Sequence, residues 1–144
     1  MRALGFLTVV SAVALAGCAK PEGLQVVDPV VRLSANPKAP AVGYFTMKGG
    51  PTADRLLNVS SPVVIQIMMH ESAMDGGKMT MRSIDAAGVE VPAGATVKFE
   101  EGGKHLMLTD VNPGVKAGEK VQLTFTFASG TVLQGYALVR AAGS

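Results

Sequence analysis

The sequence of 144 residues contains no tryptophan and only one cysteine, Cys18. With one thiol, the chain can form no internal disulfide and no thiolate cage for zinc or iron–sulfur. Aromatic residues make up 5% and charged residues 17%. The 13 basic residues are scattered and nearly balanced by 11 acidic ones. There is no basic patch interleaved with aromatics, so nucleic acid is not an expected partner. Phosphate loops, dinucleotide fingerprints and zinc-protease motifs are absent. No serine sits on a recognisable nucleophile elbow beside either histidine, and the carboxylates are isolated, so neither a catalytic triad nor a carboxylate dyad is supported.

What is present is apolar residues (48%), 17 glycines, 8 prolines and 8 methionines. That composition suits a globular domain of moderate size. The apolar run Leu4 to Ala16 follows Met1-Arg2 and is too short to span a bilayer. It ends in Leu15-Ala16-Gly17-Cys18, which resembles the bacterial lipobox. The expectation is therefore a lipoprotein signal peptide over 1–17, lipidated Cys18 and a tether over 18–25, and one β domain over 26–144. Such a protein would be lipid-anchored at the periplasmic face of a bacterial membrane.

Beyond the tether, short alternating runs are punctuated by glycine and proline. Strands are expected near Val26–Leu33 (interrupted by Pro29), Val42–Met47, Arg55–Val59, Val63–His70, Lys78–Ile84, Val89–Val91, Thr96–Glu100, His105–Thr109, Val121–Phe127 and Thr131–Val139. Asp75-Gly76-Gly77 reads as a turn. No stretch has the periodicity of an amphipathic helix. The fold class is all-β, a sandwich or barrel.

Five of the eight methionines lie between Met68 and Met81, and His70 and His105 are the only histidines. His105 and Met107, at i and i+2, share one face of a strand, opposite Leu106 and Leu108. Met79 and Met81 form a second such pair. Met47, Met68 and Met69 read as core filler. If the strands converge, His70, Met81, His105 and Met107 line a small open site, with Met74 and Met79 as candidate auxiliary contacts. Thioethers are neutral, soft ligands that favour Cu(I) over zinc, calcium or magnesium. The missing thiolate argues against a blue-copper electron carrier. Glu71 and Lys104 read as ordinary solvated charge.

The run His70-Glu71-Ser72-Ala73-Met74-Asp75-Gly76-Gly77-Lys78-Met79-Thr80-Met81 and the segment Gly102-Gly103-Lys104-His105-Leu106-Met107 resemble the signature of the PCu(A)C-type periplasmic copper chaperones. That signature runs His, ten residues, Met, about twenty-one residues, His-x-Met. Ten residues separate His70 from Met81, and twenty-three separate Met81 from His105, two more than the pattern. A longer loop around Asp85–Gly88 accommodates them. The resemblance implies a cupredoxin-like Greek-key β-barrel or sandwich that binds Cu(I) through His70, Met81, His105 and Met107. It implies a non-enzymatic metallochaperone delivering copper toward the binuclear copper centre of cytochrome c oxidase, with that oxidase's copper subunit or a Sco-type protein as partner. A copper-storage or resistance lipoprotein needs the same ligands. In a purely structural lipoprotein without metal, His70 and His105 would instead lie far apart.

Overall fold

The computed structural model describes residues 23–144; the expected signal peptide and Cys18 lie outside the described residues. Ten strands follow in order: β1 (Gln25–Arg32), β2 (Ala41–Lys48), β3 (Asp54–Ser60), β4 (Val64–Asp75), β5 (Lys78–Ser83), β6 (Val89–Val91), β7 (Thr96–Phe99), β8 (Lys104–Val111), β9 (Lys120–Phe127) and β10 (Val132–Arg140). No helix occurs among the described residues.

The strands pair in the order β5-β4-β8-β7-β2-β1-β10-β9-β3-β6, with a further β8–β2 pairing. Nearly all contacts are antiparallel. The parallel exceptions are β7 with β8 and β1 with β10, β1 being also antiparallel to β2. β1 thereby joins the two halves of the wrapped sheet. Its register shifts between Val27 and Val30, where Asp28 takes a φ of 52° ahead of Pro29. Proline cannot donate to a ladder, so the bulge accommodates it where the strand changes partner. The result is the all-β, cupredoxin-like Greek-key fold that the resemblance implied.

Alternation sets the core. In β2, Ala41, Gly43, Phe45 and Met47 point inward; in β9, Val121, Leu123, Phe125 and Phe127 do so. Phe45 stacks on Phe99 at 4.3 Å between ring centroids and meets Phe125 at 4.9 Å, tilted by 59°. Stacked and tilted rings are the favoured aromatic geometries, and they tie the two layers together.

One core contact positions the site. Gly43 lies opposite Leu106 and Ala41 opposite Leu108 on β8. A Cβ on Gly43 would come 3.1 Å from Leu106 and 3.2 Å from Leu108. The small residues of β2 thus leave room for the two leucines, both fully buried. With Leu106 and Leu108 held inward, His105 and Met107 must face outward.

In β4 the alternation expected from Val63 to His70 does not hold throughout. Met69 is buried and Ile67 packs against the core, but Ile65 is 83% exposed while Val64 is buried. Across the ladder from Ile65, Asp110 adopts a φ of 55°. A left-handed residue kinks its strand and changes which side its neighbours face, so the inward stripe shifts here from even to odd positions.

Candidate metal centre

The site is built on the three-stranded edge β5-β4-β8. Directly paired residues in an antiparallel sheet share a face, with Cβ atoms about 5 Å apart. His70 pairs with His105, and Met68 with Met107. Across the other edge of β4, His70 pairs with Ser83, Ser72 with Met81, and Met74 with Met79. All these residues therefore lie on one face. It holds both histidines and five of the eight methionines. Of the other three, Met47 and Met69 are in the core and Met1 lies outside the described residues.

The register depends on the β4–β5 turn. Asp75 pairs with Lys78, which leaves Gly76 and Gly77 as a two-residue loop with φ of 56° and 81°. Two successive positive φ values make the hairpin turn whose twist matches that of the strands, and glycine adopts both without strain. A one-residue slip would send Met79 and Met81 to the opposite face. At the far end of β5, Asp85 locks the hairpin: its Oδ1 accepts the Met69 N–H at 2.8 Å, and its Oδ2 accepts the Ser83 hydroxyl at 2.9 Å. Asp85 sits in the turn closed by the Gly88 N–H on the Ile84 and Asp85 carbonyls.

The imidazole rings lie edge-to-face with centroids 5.8 Å apart. They are not far apart, as a purely structural domain would have allowed. His105 is 5% exposed. Its Nδ1 lies 3.1 Å from the Gly103 carbonyl oxygen. A carbonyl only accepts, so Nδ1 carries the proton and Nε2 keeps its lone pair for a ligand. The same carbonyl accepts the Ser72 N–H at 3.0 Å, tying β4 to the start of β8. His70 Nδ1 is buried and has no hydrogen-bond partner. Buried polar nitrogens are seldom left unpaired, and this one belongs to the face that also carries His105 and the methionines.

No three His, Cys, Asp or Glu side chains gather into a metal-binding group among the described residues. A metal on this face would therefore depend on thioether donors, which selects for a soft ion. Exposure falls along the face, from Met74 at 65% and Met79 at 60% through Met81 at 54% to buried His105.

Two expectations need correction. Met68 is not core filler: it is half-buried, paired with Met107 on the site face. The signal was its i, i+2 relation to His70. Glu71 and Lys104 are not ordinary solvated charges either. On the opposite face, Glu71 bridges Arg82 of β5 and Lys104 of β8, the latter at 3.0 Å. Hydrogen bonds from Arg82 first, and then Lys104, hold the Glu71 carboxyl below the usual carboxylate range despite some desolvation. This clamp spans the three strands that carry the site. Its spacing is not visible in sequence, because the partners come together only through register.

A family model described as LpqE-like, a lipoprotein family, matches residues 24–135. The lipoprotein-named Lxx21020 of Leifsonia xyli subsp. xyli is 28% identical over 110 residues, covering 76% of this chain and 65% of its own length. The uncharacterized protein RP573 of Rickettsia prowazekii is 31% identical over 89 residues, covering 61% of this chain and 49% of its own. The chain thus spans less than two thirds of the length of these curated relatives. Among solved structures, the copper-bound PCuAC domain from PmoF2 superposes with a TM-score of 0.68 at 19% identity, covering 85% of this chain and 97% of that one. The Cu(I) form of DR1885 from Deinococcus radiodurans gives 0.61 at 21% identity, covering 91% and 85%. The likeness to the PCu(A)C-type chaperones read from the sequence is borne out in the fold.

Proposed function

Because the chain belongs to the LpqE-like family, we propose that it is a lipid-anchored, extracytoplasmic metallochaperone whose cargo is Cu(I). The observation that carries this reading is one outward face joining His70, Met81, His105 and Met107, with His70 Nδ1 unpaired. His105 Nε2 and a nitrogen of His70 supply the imidazole donors, and Met81 and Met107 the thioethers. This neutral set stabilises the +1 ion without thiolate, which suits an oxidising compartment. The copper-bound and Cu(I) titles of the structural neighbours support the choice of metal.

The openness of the face bears on transfer. Met81 is more than half exposed, so an incoming ligand can replace its thioether before the imidazoles let go. Copper then passes by stepwise ligand exchange, and no bond in an organic molecule is made or broken. By the family resemblance, the acceptor is the binuclear copper centre of cytochrome c oxidase, reached directly or with a Sco-type protein. Cys18 is the proposed lipid anchor, and the tether is shorter than the expected 18–25, because Leu24 packs against the core and Gln25 already pairs with Lys48 in β1.

The test is an anaerobic Cu(I) titration of the full chain in detergent against a competing chelator, on wild type and on the His105→Ala/Met107→Ala double variant. One tight equivalent, lost in the variant, is expected. A wild type that cannot compete for Cu(I) refutes the reading. Transfer of the bound ion to an apo-oxidase copper domain tests delivery, since a storage protein retains its metal.

A further inference from the structure

The four proposed ligands leave three thioethers on the same face unused. Met74 and Met79 are direct cross-strand partners at the hairpin tip. Met81 follows Met79 two residues on, about 7 Å along the strand. His70 and His105 come next, and Met68 with Met107 close the row. Every cross-strand pair from tip to base offers a thioether or an imidazole to this face, apart from the small Ser72 and Ser83 hydroxyls.

Packing does not account for the outer thioethers. All six residues of β5 are exposed, and Met74 and Met79 take no part in the core. Nor does β propensity call for methionine, since β-branched and aromatic residues serve a strand better. What methionine adds is a soft donor on three rotatable bonds. Two such donors about 5 Å apart at their Cβ atoms can swing their sulfurs onto one ion, and Cu(I) is the ion they favour.

We propose that Met74 and Met79 form an exposed entry site for Cu(I), from which the ion passes by way of Met81 to the imidazole site. This rests on the Cu(I) reading of that site. At each step one copper–sulfur or copper–nitrogen bond forms and one breaks, and copper stays in the +1 state. A thioether binds no proton in the physiological range, so the entry steps involve no proton transfer. The exposure gradient sets the order: the tip meets a donor first, and the buried His105 holds the ion last. Because such a pathway works in both directions, it changes rates of loading and release while leaving the tight equilibrium site nearly untouched.

The experiment uses the full chain in detergent and the Met74→Leu/Met79→Leu variant, which keeps the apolar volume of two exposed side chains. Stopped-flow measurement follows Cu(I) passing from a chromogenic chelator to the protein and back. Loading and release at least fivefold slower than wild type are expected, with the competition equilibrium within twofold. In parallel, Ag(I) is titrated as a Cu(I) mimic into protein labelled with 13C at the methionine methyls. The first equivalent is expected to shift Met81 and Met107, and the second to shift Met74 and Met79. Wild-type rates in the double variant, or unmoved Met74 and Met79 methyls, overturn the entry site. If the first equivalent fails to move Met81 and Met107, the chaperone site itself is wrong and the pathway falls with it.

Discussion

Neighbouring residues on β8 should separate stability from metal binding. Leu106 is fully buried against β2, while Met107 is half-buried on the opposite face. Leu106→Ala removes three buried carbons and leaves a cavity whose floor, at Gly43, has no side chain to refill it. Buried leucine truncations cost about 2–5 kcal/mol, and the rigid floor favours the upper half. For a domain of this size, each kcal/mol lowers Tm by roughly 4 °C, so the apoprotein should melt about 14–20 °C lower. Met107→Ala removes a side chain that only partly leaves water, and about 1 kcal/mol or less is expected from its area. Its effect should appear on adding metal. At free Cu(I) one hundredfold above Kd, binding stabilises the native state by about 2.7 kcal/mol. Losing one of four ligands should weaken binding at least tenfold, removing about 1.4 kcal/mol of that. Thermal melts of both variants, with and without buffered Cu(I), therefore give opposite patterns. Leu106→Ala falls in Tm but keeps most of its copper-induced rise; Met107→Ala keeps its Tm and loses much of the rise. If Met107→Ala destabilises the apoprotein as much as Leu106→Ala, the assignment of faces is wrong. An undiminished copper-induced rise in Met107→Ala refutes its role as a ligand.

Asp85→Ala should leave the buried Met69 N–H unpaired, costing about 1–3 kcal/mol, and the Met69 amide should lose hydrogen-exchange protection ahead of the rest of β4. Gly43→Ala should destabilise by about 1 kcal/mol, since the added methyl must push Leu106 and Leu108 aside by a few tenths of an ångström; urea midpoints of the apoprotein check this. The Asp54 carboxyl, though partly desolvated, is held below its ordinary value by hydrogen bonds from the Ser129 hydroxyl, the Arg55 N–H and the Ser129 N–H. A depressed carboxylate stabilises the fold above its unfolded value, about pH 3.9, and that contribution disappears as pH falls through the lower folded value. Wild type should thus exceed Asp54→Asn in urea midpoint at pH 7, and the gap should narrow as pH falls below about 4.

Much of this architecture is legible along the chain because strands alternate with period two. Leu106 and Leu108 against His105 and Met107 is a local contrast, and the structure places it as the alternation requires. Gly76-Gly77 could be recognised as a turn because glycine alone enters the left-handed region freely. The exposure of Ile65 is not legible in its own strand, because the change of face lies opposite the left-handed Asp110 on another strand, and alternation carries no information about the far side of a ladder. Met68 is ambiguous along the chain for a related reason: methionine serves equally in a core and on an outward face, and only its pairing with Met107 separates the two.

Readable along the chain alone are the all-β class, the Gly76-Gly77 turn, the supply of imidazole and thioether donors, and the absence of thiol beyond Cys18. These follow from residue chemistry and local periodicity, which act over a few residues. Tertiary structure alone decided that His70 stands across from His105, that Glu71 clamps Arg82 and Lys104, and that five methionines share one face. Those facts depend on the register between strands up to tens of residues apart. Register is set by the whole core, by Gly43 yielding to Leu106 and by the two-glycine turn, and no single segment contains it.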